Sequence, residues 1–200
     1  MSNSSETTSR RDLFRNVALA AVLGGLDVEA AQHVHTTAAA EKSATGAYKA
    51  KLLNAHEYQT MQKLADLILP ADEHSKGALD AGAVEFIDLL CSQNPDLASI
   101  YTGGLAWMDR AMEKRYGKDF VSASVEQRTA LLDLIAYRKN DSAELGPGIV
   151  FFDWARKMVV DAFYTSAIGV KDVGYMGNKG MSEFKVSQEA IDYVVKRSGL

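Results

Sequence analysis

Little in this chain is available for covalent or redox chemistry. It has one cysteine and three prolines in 200 residues. The single thiol, Cys91, excludes an intramolecular disulfide, a cysteine-ligated cluster and a zinc knuckle. No C-x-x-C-H is present, which excludes covalent c-type haem, and no H-E-x-x-H pair offers a helical metal site. A strand-linked G-x-G-x-x-G is also missing, so the dinucleotide-binding turn has no candidate. The longest apolar run, Val17 to Leu26, is about half of the ~20 residues that span a bilayer. A net charge of −4 and only 8% aromatic residues give no basic, aromatic-studded field for a phosphate backbone, so nucleic acid is not expected as a partner.

What is there begins with an address. Ser9-Arg10-Arg11-Asp12-Leu13-Phe14-Arg15 resembles the twin-arginine export consensus, with Arg10, Arg11 and Phe14 as its signal residues. The modest apolar run follows at the usual length of a signal core. The small residues Ala38, Ala39 and Ala40 offer a cleavage site before Glu41, although Asp27 and Glu29 intervene, so an uncleaved signal stays open as the alternative. Residues 1–40 are therefore read as a signal region and 41–51 as a linker, with the folded body starting near Leu52. His33 and His35 form an H-x-H pair. Two imidazoles in an alanine- and threonine-rich stretch make a poor metal site, and none is expected there.

The body, 52–168, has helical period throughout and no sustained alternation, so an all-α, compact irregular bundle is expected. Asn54 with Glu57, and Ser124 with Gln127, have the spacing of capping boxes. The first helix carries Tyr58, Met61, Leu64, Ala65 and Ile68 on one stripe and stops before Pro70. Val84, Ile87, Leu90 and Cys91 mark a second helix, and Cys91 is read as a core thiol. Pro95 opens a long third helix closed by Gly117, with Gly103-Gly104 marking a kink or a close helix approach. Leu131, Leu134 and Ile135 are the expected buried side of the fourth. Gly146-Pro147-Gly148 breaks the chain before a last long helix whose stripe runs from Phe151 to Phe163. Trp107 and Trp154 are read as buried. From Gly169 to residue 200 the glycine spacing predicts a docking loop, then a short terminal helix over 188–197 with Ala190, Ile191, Val194 and Val195 on one face.

The one concentration of acid and base is the loop Asp72-Glu73-His74. Its residue types suit proton transfer or cation binding. Loop capping by Asp72 with solvated neighbours is the favoured reading. Gly174-Tyr175-Met176-Gly177-Asn178-Lys179-Gly180 lacks the Walker spacing and its Lys-Ser/Thr pair, so no phosphate site is expected.

Leu67-Ile68-Leu69-Pro70-Ala71-Asp72, Ala81 to Asp88, Tyr101, Gly104-Leu105, Asp109, Tyr116-Gly117, Ser124 to Leu132, Phe151-Phe152 and Gly174 to Asn178 together resemble the gluconate 2-dehydrogenase subunit 3 family, from Glu57 to Asn178. The resemblance implies a non-catalytic small subunit without a cofactor of its own. Its partners would be a large FAD-dependent flavoprotein of the glucose-methanol-choline class and a membrane-attached cytochrome c carrying c-type haem. The complex would oxidise a sugar or sugar acid in the periplasm. The small subunit would stabilise the flavoprotein and escort it through the twin-arginine translocase, with Asp72, Tyr175, Gly177 and Asn178 as candidate interface residues. Tyr175-Met176-Gly177-Asn178 and Glu183-Phe184-Lys185 depart from the family's usual Tyr-Gly-Gly-Asn and Gly-Trp-Lys. The competing readings are a free-standing exported ligand-binding protein and a minor enzyme built on the Asp72-Glu73-His74 loop.

Overall fold

The computed structural model describes residues 28–174 and 186–198, with side chains from residue 30. The described residues form eight α-helices and no strand, as the periodicity predicts. We number them α1 (Val28–Thr45), α2 (Ala55–Ile68), α3 (Ala83–Gln93), α4 (Pro95–Tyr116), α5 (Val125–Ile135), α6 (Gly146–Tyr164), α7 (Ala167–Asp172) and α8 (Gln188–Ser198). A single 3-10 turn, Arg138–Asn140, lies between α5 and α6.

The helix ends follow the local chemistry. Asn54 and Ser124 each accept the amide of the third helical residue, while Glu57 and Gln127 return the bond to the cap backbone. Asn94 caps α4 through the amides of Asp96 and Leu97, with Pro95 in the first turn, and Gly117 closes the helix in the left-handed region at φ 64°. The buried residues of α2 are Thr60, Met61, Leu64 and Ala65. On α5 they are Arg128, Leu131, Leu132 and Ile135. That is an i, i+3, i+4, i+7 stripe, which puts the expected Leu134 at its edge, 38% exposed, and brings Leu132 inward instead.

Helix α6 is the centre of the bundle and touches α2, α3, α4, α5 and α7. Its crossing with α4 is closed by two glycines, one from each helix. A Cβ on Gly104 would lie 2.1 Å from the Phe151 ring, and one on Gly148 would lie 2.2 Å from the Trp107 indole. Each aromatic side chain therefore packs onto bare backbone of the opposite helix, the close approach anticipated at Gly103-Gly104. Tyr101 meets Phe151 edge-on at 5.7 Å. Trp107 and Trp154 are only partly buried against the core, because each spans the boundary between core and surface on its helix.

Three boundaries differ from the sequence reading. Residues 28–45 form a helix, with Ala31 and Val34 at 0% exposure and Ala38 at 7%. The alanine-rich composition that reads as a cleavage region and linker is also the best helix-forming composition. Ala31, Val34 and Ala38 fall on one face, which packs on α3. The remainder of the linker is fastened too. Asp88, fully buried, accepts the Tyr48 hydroxyl at 2.8 Å and the amides of Lys51, Leu52 and Leu53 at 2.6, 3.1 and 2.8 Å. The body thus begins with α1, not near Leu52. At the other end, Gly169 lies inside α7 and not in a loop. Ser166 caps this helix by accepting the Gly169 amide at 3.1 Å. A Cβ on Gly169 would sit 2.1 Å from the Phe163 carbonyl oxygen, so the glycine serves close packing there.

Candidate functional site

The Asp72-Glu73-His74 loop is built by short-range hydrogen bonds. One Asp72 carboxylate oxygen accepts the amides of His74 at 2.8 Å and Ser75 at 2.7 Å, and the Asp72 amide donates to the Ser75 carbonyl at 2.9 Å. Those two backbone amides hold the Asp72 carboxyl below the usual carboxylate range. Glu73 and His74 pair at 3.2 Å with both side chains more than 80% exposed. Capping and solvated charge account for all three residues. The arrangement gives no desolvated acid or base poised for proton transfer.

Three further titratable groups, two of them in or at the edge of the core and His56 at the surface, are each tied to structure. Burial, with Asp88 adding to it, pushes the Cys91 thiol up, which makes it inert as a nucleophile. His35 sits over Phe86 at 4.7 Å between ring centroids, and its Nε2 is 3.2 Å from the Thr165 hydroxyl. Burial pulls its pKa below the ordinary histidine value, partly countered by a backbone hydrogen bond at Ala162. His56 is 2.8 Å from Asp109, whose other oxygen accepts the Phe120 amide at 3.0 Å. The hydrogen bond to Asp109 raises the His56 pKa. Among the described residues no group of three or more His, Cys, Asp or Glu is placed to hold a metal ion.

Three surface features remain. A groove of about 510 Å³ between α4 and α6 is lined mainly by apolar atoms of Ile100, Trp107, Pro147, Val150 and Phe151 and by Gly103. A smaller cleft of about 270 Å³ lies between α1, α3 and α7, with His35, Lys42, Asp80, Glu85 and Ser166 around it. The terminal helix α8 forms where the pattern predicts, and the whole of it is exposed. Ile191, Val194 and Val195 on its apolar face are 41%, 61% and 42% exposed. Sequence reasoning identified this stripe but could not say whether the bundle covers it. It missed the α4–α6 groove, whose only signal was the pair of glycine motifs at residues 103–104 and 146–148.

Of the residues singled out in the sequence, Asp72 is in the exposed loop, where its carboxylate accepts the amides of His74 and Ser75 within its own turn. Arg10, Arg11 and Phe14, and Tyr175, Gly177 and Asn178, lie outside the described residues. No described helix is long and apolar enough to cross a membrane.

The family model for gluconate 2-dehydrogenase subunit 3 matches residues 55–181, from the first residue of α2 past the end of α7. The chain belongs to the gluconate 2-dehydrogenase subunit 3 family. Comparison with curated proteins and with solved structures gave no match. As a subunit 3 protein it is an accessory subunit of a dehydrogenase complex, and a dehydrogenase is its implied partner. The matched region covers α2 to α7. Helices α1 and α8 of this subunit flank it on either side.

Proposed function

We propose that this subunit 3 protein is the non-catalytic small subunit of a periplasmic, FAD-dependent sugar or sugar-acid dehydrogenase complex. It stabilises a large flavoprotein of the glucose-methanol-choline class and escorts it through twin-arginine export. The observation that carries this reading is the family membership combined with the uncovered apolar face of α8. A helix of 11 residues is marginal alone in water and gains its stability from packing an apolar face. A partner that covers Ile191, Val194 and Val195 supplies that packing. The α4–α6 groove, with Trp107 and Val150 on its rim, is a second apolar surface of the kind buried at subunit contacts. FAD belongs to the large subunit in this reading and c-type haem to a third, membrane-attached subunit that passes electrons onward.

The test is affinity isolation of the untruncated chain from its native host, with sugar-dependent dye reduction assayed in the recovered material. The same isolation is repeated with Arg10 and Arg11 changed to lysine. Recovery of a flavoprotein whose export stops in the double-lysine variant is the expected result. Recovery of the chain alone, beside a normally exported and active dehydrogenase, would overturn the reading.

A further inference from the structure

We infer that export processing spares helix α1, so that the alanine triplet Ala38-Ala39-Ala40 is not a cleavage site and the export signal is confined to the residues before Val28. The inference rests on the proposed twin-arginine route. It deepens that reading by assigning which part of the amino-terminal segment is address and which part is fold.

The geometry of α1 is the reason. Residues 38–40 lie in the interior of a helix that runs from Val28 to Thr45, whereas a processing protease needs its target backbone extended and accessible. Ala38 is 7% exposed and forms part of the wall shared with Ala81, Gly82 and Glu85. The helix is fastened on both sides of the Ala40-Glu41 bond. Upstream, Ala31 and Val34 are fully buried, the His35 ring covers Phe86, and His35 meets Thr165 at 3.2 Å. Downstream, Lys42 pairs with Glu85 at 3.8 Å and Glu41 with Lys51.

A cut after Ala40 would release everything upstream and strip the His35 ring from Phe86, which is fully buried here. It would also remove Val34 from the core. The twin-arginine route carries folded protein, so α1 is already seated when the chain reaches any protease on the far side of the membrane. Helix α1 lies outside the family match over 55–181 but within the same hydrophobic core, which is why neither the motif nor the composition assigns it to the body.

The first test reads the amino terminus of the chain recovered from the periplasm and membranes by intact mass and terminal sequencing, for the native chain and for Ala40→Glu. Ala40 is exposed, so glutamate there leaves the fold alone while blocking a small-residue cut before Glu41. The expected result is a terminus at or upstream of Val28 in both. A native terminus at Glu41, or a longer product for Ala40→Glu than for the native chain, overturns the inference.

The second test is thermal unfolding of the full chain with Val34→Ala against Gln32→Ala, one buried and one exposed residue of the same helix. Val34→Ala is expected to lower the midpoint by at least about 3 °C and Gln32→Ala to leave it unchanged. Equal midpoints for Val34→Ala and the native chain would show that α1 is not part of the fold and overturn the inference. A chain found only in the cytoplasm, with Val34→Ala still destabilising, would overturn the export reading and with it the processing claim, while the role of α1 in the core would stand.

Discussion

Replacing Asp88 by alanine removes a buried group that fastens the segment between α1 and α2. Its carboxylate accepts four hydrogen bonds from Tyr48, Lys51, Leu52 and Leu53. Hydrogen bonds to a charged acceptor contribute about 1.5–3 kcal/mol each, but the four do not count equally. The Lys51 backbone is at the surface and regains water, Leu52 is half-buried, and Leu53 is 4% exposed. The Leu53 amide therefore bears the full cost of losing its partner, and the Tyr48 hydroxyl part of it. The sum is about 3–5 kcal/mol, a large fraction of the ~5–15 kcal/mol that stabilises a typical domain. At roughly 2–4 °C per kcal/mol for a chain of this size, the midpoint falls by about 6–20 °C.

Asparagine refines the test. Its carbonyl oxygen serves Leu52 and Leu53, which share Oδ1 in the native protein. Its amino group then faces the Lys51 amide, donor against donor, while the Tyr48 hydroxyl turns to accept. Asp88→Asn is expected to cost about half as much as alanine. Urea denaturation followed by helical circular dichroism, with amide exchange at Leu53, measures both. An alanine variant within about 1 kcal/mol of native would refute the reasoning that the carboxylate is the anchor, and an asparagine variant as damaging as alanine would refute the share assigned to the Leu52 and Leu53 bonds.

The adjacent glycines of α4 separate close packing from helix propensity. Nothing lies within 4 Å of a Cβ built on Gly103, so Gly103→Ala should raise stability by up to about 1 kcal/mol. Gly104→Ala, which drives a methyl into Phe151, should lose about 1–3 kcal/mol despite the same propensity gain; thermal unfolding of the two variants shows both signs. His56 and His35 should shift stability in opposite directions with pH. The raised pKa of His56 gives stability that is complete below its unfolded value of ~6.5 and fades as pH rises through the folded value. The lowered pKa of His35 gives stability present above ~6.5 and lost as pH falls through the folded value. Imidazole titration by NMR, with His56→Gln and His35→Gln compared across pH 5–8 by thermal unfolding, checks the two signs. The His56 effect is the smaller because its side chain is 44% exposed. Substituting Ile191 and Val194 by serine should leave the unfolding midpoint within about 1 °C, since both are exposed, yet reduce recovery of the dehydrogenase partner; unchanged recovery would remove α8 from the interface.

The helices from α2 to α6 and the terminal α8 were legible in the sequence because their signals are local, whereas α1 and α7 were not. Asn54 with Glu57, Ser124 with Gln127, Pro95 and Gly117 each fix a helix end through the backbone groups of one turn. The stripes on α2 and α6 repeat at the period of the helix that buries them. Family membership was legible for a related reason: the residues that carry it keep a linear order along the chain. The candidate surfaces were less so. A stripe such as Ile191, Val194 and Val195 looks the same in sequence whether it faces a core or solvent, and the α4–α6 groove exists only because residues 40 or more positions apart converge.

Sequence alone thus determined the all-α class, the caps and most of the core positions, since each follows from interactions within a few residues. Tertiary structure decided what depends on a distant partner. It made Ala31, Val34 and Ala38 core residues by placing α3 beneath them, and it made a linker into a fixed segment by burying Asp88 beside it. It also turned Gly148 and Gly169 from breaks into points of contact, set Phe151 against Gly104, and left the apolar face of α8 uncovered. Alanine and glycine carry almost no side-chain information, so their roles are set by whatever the fold brings against them.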